Sequence, residues 1–164
     1  VLNGFFSDVV EILESEGGLI TQFQGDAVLA IFNVPAAQED HADRAFRAAI
    51  AIQRLISSKI YDGQRLRCRI GINTGEVIAG SVGAKDRLNY TVHGDAVNLA
   101  ARLESLNKNY NTRILLSDST VAQLKEESSK AGMTSIGEVK VRGRERSVTL
   151  YTPQSMSQLK ASAE

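Results

Sequence analysis

Between Asn89 and Glu104 the chain reads as a short strand, Asn89-Tyr-Thr-Val-His93, then a Gly94-Asp95 break, then a helix. A strand that hands over to a helix through two residues leaves little freedom in how the two elements meet, so this stretch constrains the fold more than any other. Asn98 and Arg102 stand four apart and lie one above the other on the same side of that helix. Val97, Ala100, Ala101 and Leu103 give much of the remaining surface an apolar character, which predicts a largely buried element with the amide and the guanidinium projecting from it. An amide that donates, beside a fork of five N–H donors aimed the same way, can hold an anionic, sugar-bearing ligand. Taken alone, the pair reads more simply as a surface Asn and an Arg partnered by Glu.

The rest of the chain supplies elements of both kinds. Phe5, Phe6, Val9, Val10, Ile12 and Leu13 recur at helical spacing until Gly17-Gly18. Leu19 to Phe23 and Ala27 to Asn33 read as strands joined at Gln24-Gly25-Asp26, a hairpin. Pro35 interrupts, and Asp40 to Ile56 makes a long amphipathic helix with Ala45, Phe46, Ala49, Ile50, Ile52, Leu55 and Ile56 inward. Leu66 to Asn73 and Glu76 to Val82 read as strands around Thr74-Gly75. Arg113 to Ser117 is a short strand, and Ser117 or Asp118 is placed to cap a helix from Ser119 to about Glu127. Final strands run from about Ser135 to Val141 and from Ser147 to Thr152. Hairpins are prominent and strict βαβ alternation is absent. The pattern predicts an α+β architecture with helices packed on a largely antiparallel sheet.

Composition narrows the class. At 164 residues the chain has the size of one domain. Lys plus Arg equals Asp plus Glu at 19 each, so no overall field argues for nucleic acid or an anionic membrane. Basic residues gather only between Lys140 and Arg146, where a solvated hairpin suffices as an explanation. The single cysteine, Cys68, excludes an intramolecular disulfide and fits a reducing compartment; its apolar strand context predicts a buried, inert thiol. No apolar run is long enough to span a bilayer, and the first residues do not read as a signal peptide. A cytoplasmic domain is the expectation, with attachment to sensor or membrane segments left open. The polar tail from Gln154 to Glu164 is expected to fray.

Four strings lie in order along the chain: Phe23-Gln-Gly-Asp-Ala-Val-Leu-Ala-Ile-Phe32, Arg69-Ile-Gly-Ile-Asn-Thr-Gly-Glu-Val-Ile-Ala-Gly-Ser-Val-Gly83, Tyr90-Thr-Val-His-Gly-Asp-Ala-Val-Asn-Leu-Ala-Ala-Arg-Leu-Glu104 and Val141-Arg-Gly-Arg144, the last followed by a terminal strand ending Thr149-Leu-Tyr-Thr-Pro153. Their order and spacing resemble the class III nucleotidyl cyclases, the adenylate and guanylate cyclase catalytic domains, over nearly the whole chain, residues 1–153. The resemblance implies a ferredoxin-like cyclase homology domain and conversion of ATP to 3′,5′-cyclic AMP and pyrophosphate. It implies two divalent metals, Mg²⁺ or Mn²⁺, per complete site, and a head-to-tail homodimer that builds the site at its interface.

The resemblance also assigns roles. Asp26 matches the metal-coordinating Asp. Gln22, four residues before it, occupies a base-selecting position that is usually Lys in adenylate cyclases and Glu in guanylate cyclases, and departs from both. Thr91 occupies the second base position and fits the adenylate pattern. Asn98 matches the residue that orients the ribose, and Arg102 the one that stabilises the pentavalent phosphate. Arg142 matches the basic residue that neutralises the terminal phosphates, with Arg144 a weaker candidate. Asp95 is explained by helix capping, and His41 and His93 are read as structural.

Phe5-Phe-Ser-Asp8-Val-Val10 looks like the family's first metal motif, F-x-D-I-x-G-F, but Asp8 lies only eighteen positions before Asp26, inside a helix that ends at Gly17-Gly18. Asp8 is therefore expected on the solvent side of a helix. The chain as given is expected to lack the first strand and first metal Asp, and to be inactive by itself. Three readings stay open beside an adenylate cyclase: a cyclase with relaxed ATP/GTP selectivity, a non-catalytic cyclase-homology module that dimerises and regulates a partner, and, more distantly, a diguanylate-cyclase-like enzyme, against which the absence of a G-G-D-E-F-like string argues.

Overall fold

The computed structural model describes residues 2–82, 89–141 and 146–154. The chain divides into two compact units, Val1–Leu66 with Glu76–Asp95, and Arg67–Gly75 with Ala96–Glu164.

In the first unit, α1 (Leu2–Ser15) buries Phe5, Val9 and Leu13, one residue per turn on a single face. It stops where the Gly18 amide donates to the Leu13 carbonyl at 2.8 Å, a bond that reaches back five residues and satisfies an end-of-helix acceptor. β1 (Leu19–Gln24) and β2 (Ala27–Ile31) form the expected antiparallel hairpin. α2 (His41–Ser58) buries Ala42, Phe46, Ala48, Ala49, Ile52 and Ile56 against α1 and its neighbours. Two polar residues, Asp43 and Gln53, share that buried face, which the apolar pattern did not reveal. β4 (Ile78–Val82) and β5 (Asn89–His93) pair as a second antiparallel hairpin.

The second unit is a mixed four-stranded sheet in the order β3-β6-β8-β7, made of β3 (Ile70–Ile72), β6 (Ile114–Ser117), β7 (Met133–Lys140) and β8 (Ser147–Pro153). β3 and β6 run parallel; the other pairs are antiparallel. The α+β architecture is as the sequence implied, with this one parallel contact added. β6 is buried along its whole length, as a continuous apolar run should be. α3 (Asp95–Tyr110) lays Leu103 on the sheet, where it joins Leu115, Val148 and Leu150 in the core. Burying such a leucine stabilises the fold by roughly 1.5–3 kcal/mol.

Several boundaries move. β3 begins at Ile70, not Leu66, because the preceding residues make no ladder. Cys68 therefore precedes the strand and is half-buried, with its thiol pushed up to about 11 by desolvation and by the nearby Glu104 carboxylate. The expected helix after Ser117 is two short ones, α4 (Asp118–Gln123) and α5 (Glu127–Ala131). Ser117 is the cap, its hydroxyl accepting from the Thr120 amide. α3 is less buried than its composition suggested: Ala101 is exposed, and only Leu103 and Asn107 are fully enclosed. Arg142, Arg144 and the tail 155–164 lie outside the described residues.

Candidate functional site

In the first unit the β1–β2 connection consists of Gly25 and Asp26 alone. Gly25 has φ +61 at the first loop position, the conformation a type II′ hairpin asks of glycine. Nothing lies within 4 Å of where its Cβ would stand, so backbone conformation and not space selects the residue. The turn presents Asp26, exposed, at the tip. Gln22 is also exposed, on β1. The ladder slips by one residue between Ile20 and Gln22, a β-bulge at Thr21 whose hydroxyl donates to the Leu29 carbonyl at 3.3 Å. A bulge bends and twists its strand and re-aims the side chain that follows. No periodicity in the sequence disclosed it. Thr91 sits in β5 opposite Gly80, and β5 approaches β1 within this unit.

Asp8 is partly exposed, but it does not simply project into solvent as the sequence suggests. Its carboxylate is half-buried and accepts from Lys59 Nζ at 2.8 Å and from the Tyr61 hydroxyl at 2.6 Å. Those two bonds hold its pKa below the ordinary carboxylate value. Asp8 thus ties α1 to the segment after α2.

In the second unit Asn98 and Arg102 are both exposed on one face of α3. The Arg102 guanidinium is not idle: Nη1 donates to the Lys140 carbonyl at 2.8 Å, at the end of β7 and two residues before Arg142. Asp95 lies in the first turn of α3, after Gly94 at φ +140, where a carboxylate is favoured by the helix dipole.

The face of α3 is set from β3. At Gly71 a Cβ would come within 2.4 Å of the Glu104 nitrogen and 2.5 Å of the Ala100 oxygen, so helix backbone rests directly on strand backbone. Asn107, fully buried, donates to the Ile70 carbonyl at 3.0 Å and accepts from the Thr112 hydroxyl at 2.7 Å. At the other end of the contact Asn73 donates to the Ala96 carbonyl at 3.0 Å. Asn73 lies within the second motif string, where nothing in the sequence marks a role for it. Its only local signal is an amide placed at the end of an apolar strand.

Among the described residues no group of three or more His, Cys, Asp or Glu could hold a metal ion. Asp26 offers one exposed carboxylate at a turn, suited to a hard cation such as Mg²⁺ that keeps most of its water. A pair of metals needs further carboxylate ligands, which the described residues do not bring to Asp26. Among the described residues Asp26 fits one contact to a metal and not the full set.

Gln22, Asp26 and Thr91 therefore belong to one unit, and Asn98 and Arg102 to the other. Comparison with known proteins identifies what carries such a set. Residues 1–154 match the family described as the adenylate and guanylate cyclase catalytic domain. Adenylate cyclase 1 of Rhizobium meliloti is 39% identical over 157 residues, covering 92% of this chain and 23% of that protein. Among solved structures, guanylyl cyclase Cya2 superposes with a TM-score of 0.74 at 31% identity, covering 92% of this chain and 76% of that one. Adenylyl cyclase CyaB from P. aeruginosa does so with a TM-score of 0.66 at 31% identity, covering 92% and 78%.

The chain belongs to the class III adenylate and guanylate cyclase catalytic domain family. That family generally uses two divalent metals and functions as dimers on nucleotide substrates. The chain spans about a quarter of the length of the curated relatives it matches, 23% of one and 28% of another. Among the described residues no helix is long and apolar enough to cross a membrane.

Proposed function

We propose that this domain is an adenylate cyclase that converts ATP to 3′,5′-cyclic AMP and pyrophosphate. In that reaction the ribose 3′-oxygen forms a bond to the α-phosphorus, the bond from that phosphorus to the pyrophosphate oxygen breaks, and the hydroxyl proton is lost. The observation that carries the reading is the exposed Asn98–Arg102 pair on one face of α3, in a cyclase-family chain that also presents Asp26 at a hairpin tip. Asn98 orients the ribose through its amide. Arg102 sets N–H donors against charge that develops on the pentavalent phosphate, where a preorganised donor is worth most. Arg142 neutralises the terminal phosphates. Asp26 is the carboxylate that would hold a metal, and a metal bound there would supply positive charge to polarise the triphosphate and ease loss of the hydroxyl proton. Gln22 and Thr91 occupy the two base-selecting positions.

Gln22 carries no charge and can offer either end of its amide, so ATP is preferred through Thr91 and GTP is only modestly excluded. A longer protein containing these 164 residues, given Mn²⁺ or Mg²⁺, is expected to make more cyclic AMP than cyclic GMP when offered the two triphosphates side by side. Gln22→Lys should widen that preference and Asp26→Ala should abolish both products. A wild-type preference of about 10⁴ or more would mean that Gln22 already reads one base pattern strictly, against this reading.

A second reading, a non-catalytic module that dimerises and regulates a partner, is favoured by Gln22 itself, which matches neither base-selecting residue of the active families. Absence of both products, with dimerisation retained, would decide for it.

A further inference from the structure

We propose that Asn73 is a positioning residue for the Asn98–Arg102 face of α3, acting through a hydrogen bond to the first turn of that helix. The inference rests on the cyclase reading for its catalytic consequence, and on geometry alone for the tie itself. Asn73 Nδ2 donates to the Ala96 carbonyl at 3.0 Å, two residues before Asn98. At 1.5 Å of rise per residue, that anchor lies only about 3 Å along the axis from the Asn98 backbone.

Asn73 is itself held from behind. Ser119 Oγ approaches Asn73 Oδ1 at 3.3 Å and donates to the Thr74 carbonyl at 2.8 Å. The buried Thr120 hydroxyl lies 3.0 Å from Thr74 Oγ1 and 3.1 Å from Ser117 Oγ. The start of α4 thus fixes the 73–74 corner, and the Ala96 carbonyl, which can only accept, decides which end of the Asn73 amide is the donor. The chain of contacts runs from α4 through Asn73 to α3.

The three ties along β3 differ in what they are for. Asn107 satisfies buried carbonyls, and Gly71 lets two backbones touch; both are conditions for packing at all. The Ala96 carbonyl already has an intrahelical acceptor role toward Ala100, so its satisfaction does not require Asn73. The added bond fixes direction. It pins the turn that would otherwise fray first, and that turn carries Asn98 and leads to Arg102. A displacement of about 1 Å in catalytic groups can cost about 10²-fold in rate, which is how so small a tie reaches the chemistry.

The test has two arms. In the 164-residue chain, amide hydrogen exchange is measured for wild type, Asn73→Ala and Asn73→Asp. Aspartate is isosteric and keeps an acceptor toward Ser119, but it cannot donate to the Ala96 carbonyl. Both variants are expected to speed exchange at Leu99 and Ala100 by about 2–10-fold, the worth of one net hydrogen bond, while β6 and β8 keep wild-type protection. In a longer, active protein containing this chain, both should lower kcat by about 10–100-fold with little change in KM and in melting temperature.

Unchanged exchange at Leu99 and Ala100 overturns the proposal. So does a loss of protection spread evenly over the sheet, or a kcat that falls only in step with melting temperature, since either marks a merely structural residue. An aspartate variant that behaves as wild type shows that the donor is not what acts. Arg102→Ala run alongside separates the two ideas: if it leaves kcat unchanged, the cyclase reading has failed, and exchange alone then decides whether Asn73 holds α3.

Discussion

Arg102 carries both a legible and an illegible part of this protein at the scale of one residue. Its spacing from Asn98 follows from helical periodicity and could be read directly. Its partner could not, because a main-chain carbonyl at Lys140, thirty-eight positions away, has no signature in sequence. The bond leaves the remaining guanidinium donors available while limiting how far the side chain can swing. Losing a donor that acts mainly in the transition state costs ~2.7–4 kcal/mol, or roughly 10²–10³ in rate. In an active protein, Arg102→Ala and Asn98→Ala are each expected to lower kcat by that factor and to raise KM only slightly. Steady-state kinetics checks this: near-normal kcat with a raised KM would mean ordinary ground-state binding and refute the assigned roles.

At the scale of elements, the first unit is held by apolar packing between α1 and α2 and by a polar clamp at its edge. Asp8 on α1 accepts from Lys59, just past α2, and from Tyr61. Tyr61 is buried, meets Phe5 edge-on with ring centroids 5.8 Å apart, and lies beneath the Lys59 ammonium. Desolvation first, then the Asp8 carboxylate, push the Tyr61 hydroxyl up to about 12 from 10.0. The folded state therefore holds this proton more tightly than the unfolded chain does. The stabilisation is complete below the unfolded pKa and is lost as pH rises through about 12. Wild type should lose stability between pH 10 and 12 more steeply than Tyr61→Phe, which has no proton to lose. Melting curves across that range provide the comparison, and parallel pH profiles would contradict the clamp. Asp8 works in the opposite direction. Its folded pKa is depressed, so its contribution is present above the unfolded carboxylate value and fades as pH falls through the lower, folded one.

At the scale of the whole molecule the proposed site residues fall in two different units. The Asp26 carboxylate belongs to one compact unit and the Asn98 and Arg102 donors to the other. Were the domain to pair head to tail, each site would take the carboxylate from one subunit and the donors from its partner. Mixing Asp26→Ala subunits with Arg102→Ala subunits then leaves one intact site in each heterodimer. Random pairing at equal amounts should restore about a quarter of wild-type activity in an active protein, from two inactive parents. Activity measured across mixing ratios tests the geometry, and no recovery at any ratio would count against it.

The sequence by itself determined the α+β class and the kind and order of most elements, because apolar periodicity and glycine punctuation are local properties, but not where β3 begins or that two short helices follow Ser117. By spacing alone it set Asp8 apart from the motif this residue imitates, but it gave no sign of the bonds from Lys59 and Tyr61, fifty-one and fifty-three positions away. What it misjudged depended on neighbours distant along the chain. Cys68 has strand-like residues around it yet precedes β3, because a strand exists only where a partner ladder does. The composition of α3 suggested burial, but burial follows which face meets the sheet, and that was fixed by Gly71, Asn73 and Asn107 on contacts spanning twenty-three residues or more. The bulge at Thr21 has the same origin. A register slip is a relation between two strands, so it was decided when β1 met β2 and not by either strand alone.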